Sequence, residues 1–166
     1  MKKFIREYSD YNLWANQRIG EVIVAVEDEK LNWNIVSSFP SIWLTTLHIW
    51  DAQVIWLERL NGRNPKAWPS ANFKGNKREM VEGLVTTSLL LKQIAFTAGK
   101  KNLKEEVSYS NMQGKQFRSQ VYQALVHLFN HNSYHRGQLT TLLRQAGVTR
   151  LPPNDLIFYY RQRDRM

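Results

Sequence analysis

Four histidines carry most of the chemistry this sequence offers, and three of them recur at a fixed interval in HLFNHNSYHRGQ: His127, His131 and His135. On an α-helix, neighbours in that series lie about 40° and 6 Å apart, so two adjacent imidazoles can share one metal ion. His127 and His135 are about 12 Å apart along the axis, beyond the reach of two short imidazole arms. One helix can therefore give two ligands, from either adjacent pair. The fourth, His48, stands in LHIWDAQVIWLERL, an apolar stretch with Asp51 nearly one turn further on. Three neutral imidazoles on a divalent ion keep a net charge of +2 and leave a position open to water or substrate, as catalytic sites do and closed structural sites do not. The chain contains no Cys. That excludes a disulfide framework, a thiolate zinc site, an iron–sulfur cluster and a cysteine nucleophile, so a metal must be held by His, Asp or Glu.

Those imidazoles need elements to bring them together. Over residues 2–26, Phe4, Ile5, Tyr8, Tyr11, Ala15, Ile19, Ile23 and Val26 repeat at three- and four-residue spacing, the pattern of an amphipathic helix. Ser41 caps a second helix, 41–60, which stops at Asn61-Gly62. The stretch 61–76 is rich in Gly, Pro, Asn and Lys and reads as a loop. A third helix spans about 77–98 and ends near Gly99. Val107-Ser-Tyr109 and Gln116-Phe117 flank a turn-forming Asn111-Met-Gln-Gly114, which predicts a small β-hairpin over about 105–117. The fourth helix, 119–146, closes at Gly147, and Pro152-Pro153 forbids its continuation. A last short helix, Asp155 to Arg161, supplies Leu156, Ile157, Phe158, Tyr159 and Tyr160 as a lid for one end of the core.

The fold class is therefore all-α: one domain over 1–166, a four-helix bundle with long crossover connections. The segment 61–76 is long enough to cross an end of the bundle diagonally. The second and fourth helices are expected to be neighbours, which would let His48 supply a third imidazole. The second helix is apolar nearly all round, so it lies at the centre of the fold or offers a face to a second subunit. On the fourth helix the stripe Val121, Ala124, Leu125, Leu128, Leu139, Leu142, Leu143 and Ala146 defines the inward direction. His135 lies about 30° from its centre, His131 about 70° and His127 about 110°. Imidazoles turned toward an apolar core are costly unless their nitrogens are satisfied, and a metal satisfies them directly.

Charge and hydropathy remove other classes. The net charge is +9, but residues 1–73 are neutral, 74–118 carry +5 and 119–166 carry +4, with no basic run longer than a pair such as Lys100-Lys101. A nucleic-acid arm or recognition helix would concentrate that charge. The opening MKKFIREYSDYNLW has charges too close together for a signal peptide, and no stretch approaches the ~18 apolar residues of a membrane span, so the expected location is the cytoplasm.

HLFNHNSYHRGQ, His48 in LHIWDAQVIWLERL, the opening YNLWANQRI and the closing NDLIFYY together resemble the DinB family of bacterial four-helix-bundle proteins, also called the DinB/YfiT-like metalloenzymes. The resemblance covers essentially the whole chain. It implies a left-handed bundle whose second and fourth helices bring three His to a divalent ion, commonly nickel or zinc, with iron or manganese as further choices, in a homodimer. Carried over position by position, the ligands are His48, His131 and His135; His127 matches a position that is often His but not a ligand. The superfamily includes S-transferases and isomerases that use bacillithiol or mycothiol, and its name refers to induction by DNA damage.

With no Cys in the chain, a sulfur nucleophile must come from a low-molecular-weight thiol, which a three-imidazole metal site would activate for attack on a small electrophile. Activation of water, and hence hydrolysis, is the other chemistry of the same site. Asp51 could accept from an imidazole N–H, Tyr134 could donate at the site, and Arg136 could steady a carboxylate or a developing charge; each has an equally ordinary structural role. Trp43, Trp50 and Trp56 with Trp14 could wall an apolar pocket, although aromatics at helical spacing are usually core. The competing functions are a non-catalytic metal- or ligand-binding dimer and a DNA-binding damage-response module.

Overall fold

The computed structural model describes residues 1–111 and 113–163; Met112, in the expected hairpin turn, lies outside them. The elements in order are α1 (Lys2–Ala25), a single turn α2 (Asp28–Leu31), α3 (Ile42–Leu60), α4 (Lys77–Thr97), β1 (Glu106–Ser110), β2 (Gln116–Gln120), α5 (Val121–Gln145) and α6 (Leu156–Arg163). The four long helices coincide closely with the expected ones. Ser41 caps α3 by accepting from the Leu44 N–H at 3.1 Å. Asn76 and Glu79 close a reciprocal box at the start of α4, and Gln120 and Gln123 do the same for α5. Gly62 and Gly147 follow α3 and α5 with φ of 77° and 90°, backbone that a Cβ would strain. The hairpin runs to Gln120 because Glu106 pairs with Gln120 and Val107 with Ser119, so α5 begins at Val121 instead of 119.

Helix α1 packs against α4 and α5, and so does α3, leaving α1 and α3 diagonal across the bundle. Tyr8 meets Phe129 and Asn16 meets Arg136, so α1 and α5 run parallel. Lys92 pairs with Asp10 and Lys77 donates to the Val26 carbonyl, so α4 opposes α1. Trp56 lies on His127 and His48 on His135, so α3 opposes α5. The topology is up-down-down-up. It corrects one expectation: the diagonal crossings are made by 26–41 and 98–120, while 61–76 joins the parallel neighbours α3 and α4. It must therefore run back along the bundle past a 19-residue helix of about 28 Å.

That course explains why α3 is apolar on nearly every side. Phe73 of the crossover stacks on Trp43 and meets Trp50 edge-on, with ring centroids 6.1 and 5.1 Å apart, so a face of α3 that a simple bundle would expose is covered by its own connection. Asp51 pins the crossover: its two oxygens accept from the Ser70 N–H at 2.8 Å and the Ser70 hydroxyl at 2.6 Å. The short α6 does not close an end of the core. It lies along the middle of α1, where Tyr159 meets Tyr11 and Trp14 and the Tyr11 hydroxyl donates to the Asn154 carbonyl.

The apolar interior has two halves. One gathers Ile19, Ile23, Ile49, Leu84, Leu139 and Leu143, the other Ile5, Ala52, Leu91, Leu125, Leu128 and Phe129. Between them Asn12, Asn16, Gln53, Ser88, Asn132 and Arg136 form a buried polar layer with members on all four helices. Gln53 Oε1 accepts from Asn12, Asn16, Ser88 and Asn132, and Gln53 donates to the Leu84 carbonyl at 3.1 Å. Among the described residues no helix is long and apolar enough to cross a membrane.

Candidate metal centre

The polar layer turns α5 so that Asn132 and Arg136 face α1, and this directs His131 and His135 into the groove with α3, where His48 meets them. His48 Nε2 and His131 Nε2 are 3.0 Å apart, and one nitrogen from each of His48, His131 and His135 lies within 4.8 Å of the other two. A tetrahedral divalent ion at its usual distance from imidazole nitrogens holds them about 3.3 Å apart. His135 donates from Nδ1 to Gln138 Oε1 at 2.7 Å, and the Gln138 amide donates on to Ser38 at 3.1 Å. This leaves the His135 Nε2 lone pair free for a ligand bond. Among the described residues, His131 Nδ1 is buried with no hydrogen-bond partner. Three lone pairs converging in one place, with a proton already parked on the far nitrogen of His135, fit a divalent ion.

Electrostatics keep the cluster neutral. Burial, and then repulsion from the neighbouring imidazoles, lowers His48 to about 4; burial first, and then His135, lowers His131 to about 4. Burial also lowers His135, partly offset by its bond to Gln138. At neutral pH all three present lone pairs instead of protons, as metal ligands must.

Other expected residues have different places. His127 is exposed, its ring 6.0 Å from that of His131 and edge-on to Trp56. Partial desolvation of its ring against Trp56, and then the Arg59 charge, lowers its pKa. The Asp51 carboxylate accepts from Ser70, not from an imidazole. Arg136, expected as a charge stabiliser, is 2% exposed and bonds Asn12, Asn16 and Ser133, so it belongs to the polar layer. Tyr134 is exposed and lies edge-on to His135 at 4.9 Å. Of the four tryptophans expected to line a pocket, Trp56 approaches a histidine, His127, while Trp43 and Trp50 pack on Phe73, and Trp14 on Tyr159. The walls are instead Phe39, stacked on His48 at 4.0 Å, and Trp68 of the crossover, 6.4 Å from His48. Neither lies on a helix, so periodicity offered no signal for them. Gln138 did leave one, since it stands one turn beyond His135.

A sequence model of the DinB family matches residues 1–166. The chain belongs to the DinB family. It is 29% identical over 157 residues to Protein DinB of Bacillus subtilis (strain 168), a match spanning 92% of this chain and 91% of that protein. Two solved DinB-like proteins share the fold. One, from Bacillus subtilis, superposes with a TM-score of 0.67 at 16% identity, covering 89% of this chain and 96% of its own. The other, from Bacillus cereus ATCC 10987, has a TM-score of 0.61 at 21% identity, covering 84% and 89%.

Proposed function

We propose that this DinB-family chain is a metal-dependent enzyme in which His48, His131 and His135 hold a divalent ion, nickel or zinc before iron or manganese, and that it transfers a bacillithiol-type low-molecular-weight thiol to a small electrophile. The observation that carries this reading is the convergence of three neutral imidazoles in a chain without a thiol of its own. When bound, the ion supplies Lewis acidity that lowers the pKa of a thiol or of water. A thiol starts near 8.5 and needs far less lowering than water, which favours the borrowed sulfur. The chain's residues do the rest. Gln138 holds the proton on His135 Nδ1 and so aims Nε2; Phe39 and Trp68 narrow access to His48 and supply an apolar wall. Arg59, set over Trp56 and Tyr109 and felt by His127, places positive charge beside the groove for an anionic thiol.

Metal analysis of untagged protein tests the first half. About one ion per chain is expected, lost in His131→Ala; substoichiometric metal that nickel or zinc does not restore refutes it. Incubating the loaded protein with electrophiles and a panel of cellular thiols tests the second. Thiol consumption that disappears in His48→Ala is expected. Turnover without thiol would point to hydrolysis, and metal binding without any turnover to a binding protein.

A further inference from the structure

Arg136 has a property that its place in the polar layer does not explain. It is a buried cation whose hydrogen-bond acceptors are all neutral: Asn12 Oδ1 at 3.0 Å, Asn16 Oδ1 at 2.9 Å and Ser133 Oγ at 2.9 Å. Among the described residues no carboxylate pairs with it. The ring of Tyr11 lies 5.3 Å from its guanidinium carbon, and the Tyr11 side chain is a further partner that is neutral at physiological pH. A charge withdrawn from water without a counterion is strongly disfavoured, and an anion delivered to it recovers that cost.

A place for such an anion exists. Arg136 forms part of the wall of a cavity of about 620 Å³ between α1, α5 and the segment leading into α6. That volume suits a small molecule. The same wall carries Arg144, which is exposed and makes no ion pair among the described residues, and the Thr140 hydroxyl. It also carries Leu156, the first residue of α6. The first-turn N–H groups of a helix have no intrahelical acceptor and favour negative charge. Asp155 on the rim is the one acidic side chain in the wall. Two guanidinium groups and a helix start against one rim carboxylate make the cavity anion-seeking.

We propose that this cavity is a second ligand site, separate from the imidazole cluster, which takes the phosphate or carboxylate groups of a small polyanionic molecule with Arg136 at its floor and Arg144 at its mouth. The two sites sit on different faces of α5: the imidazoles meet α3, while Arg136 meets α1.

Calorimetric titration of the full-length protein with inorganic phosphate and, separately, with succinate tests this and distinguishes the two anion types. At least one is expected to bind saturably with Kd below about 1 mM. Arg144→Gln should weaken that binding about tenfold by removing a charge at the mouth, and Asp155→Asn should tighten it. Gly137→Phe should abolish it, because a Cβ at Gly137 meets nothing within 4 Å and the ring can enter the cavity without disturbing the helix. The titration repeated in His131→Ala should give the same Kd; loss there would assign the anion to the imidazole cluster and overturn the proposal. So would the absence of saturable binding for both probes, or affinities that Arg144→Gln and Gly137→Phe leave unchanged.

Discussion

Replacing Gln138 by Leu separates the role of a metal-positioning residue from that of packing. Gln138 Oε1 is the hydrogen-bond partner of His135 Nδ1, at 2.7 Å, and His135 is 6% exposed, so water is a poor substitute. Loss of the acceptor forfeits a bond worth about 1 kcal/mol and leaves a buried N–H whose desolvation costs about 1–3 kcal/mol. More important for binding, nothing then keeps the proton on Nδ1, and the ring can turn or carry it on Nε2. Removal of such outer partners lowers metal affinity about 10–100-fold, equivalent to about 1.4–2.7 kcal/mol. Competition against a chromophoric chelator at neutral pH reads the change, with circular dichroism to establish that the metal-free variant is folded. Gln138→Glu should keep or raise affinity, because a carboxylate is the stronger acceptor for the same N–H. His127→Gln should change it little, since that ring stands outside the cluster. A folded Gln138→Leu protein whose affinity is within twofold of the parent's would refute the reasoning, as would an equal loss in His127→Gln.

Three further outcomes are expected. His48 and His131 titrate near 4 in the native protein against 6.5 for an unperturbed His, so between those values the unfolded chain takes up protons that the native state does not. The stability of chelator-treated protein should therefore be complete above about pH 6.5 and fall toward pH 4. Urea midpoints that follow the same pH slope in a His48→Gln/His131→Gln double variant would contradict this. Asp51→Ala removes both bonds to Ser70 and should cost about 1.5–3 kcal/mol, with faster proteolytic cleavage within 61–76; unchanged digestion would mean that Asp51 does not hold the crossover. Gly83→Ala gains about 1 kcal/mol of helix propensity but drives a methyl into the Trp50 indole, an overpacking cost of about 1–3 kcal/mol, so thermal melts should show a net loss; a stabilised variant would show that Trp50 moves aside freely.

The four long helices were legible because each carries a continuous apolar stripe and a recognisable end: Ser41 before α3, Gly147 after α5. Their directions were not. A stripe states which side of a helix is buried and is silent about what covers it, so nothing in it corrects the diagonal crossing expected of 61–76 to the return along the bundle that the segment makes. The apolar encirclement of α3 shows the same gap, since Phe73 and Trp68 come from a loop without periodicity. The imidazole cluster was legible in part: spacing allowed either adjacent pair on α5, and the wheel favoured His131 and His135. Asp51 misled because its spacing from His48 suits a hydrogen bond, whereas its acceptor capacity is taken up by a backbone and a hydroxyl 19 residues away.

Spacing alone could not choose a register, and the reason lies in the repeat itself. His127, His131 and His135 are related by four residues, so sliding α5 by about one turn along α3 would put His127 and His131 where His131 and His135 now stand, at little cost to the imidazoles. The polar layer forbids it. In the slid arrangement Leu128 would occupy the place of Asn132, facing Asn12 Oδ1 and Gln53 Oε1, which now accept from Asn132 at 3.0 and 3.2 Å. Asn132, too short to replace a guanidinium, would stand where Arg136 reaches both Asn12 and Asn16. Asn12 Oδ1 and Asn16 Oδ1 would lose the donors they now have, each at about 1–3 kcal/mol, while Gln53 Oε1 keeps three others; apolar packing between similar leucine ridges imposes no such penalty. Tyr134 would take the place of Gln138, so the imidazole standing where His135 is would have no acceptor on its far nitrogen. The asparagines, Gln53 and Arg136 thus do for the site what the histidines cannot do for themselves. They single out one of two nearly equivalent pairings, and it is the one in which Gln138 is present to orient a ligand.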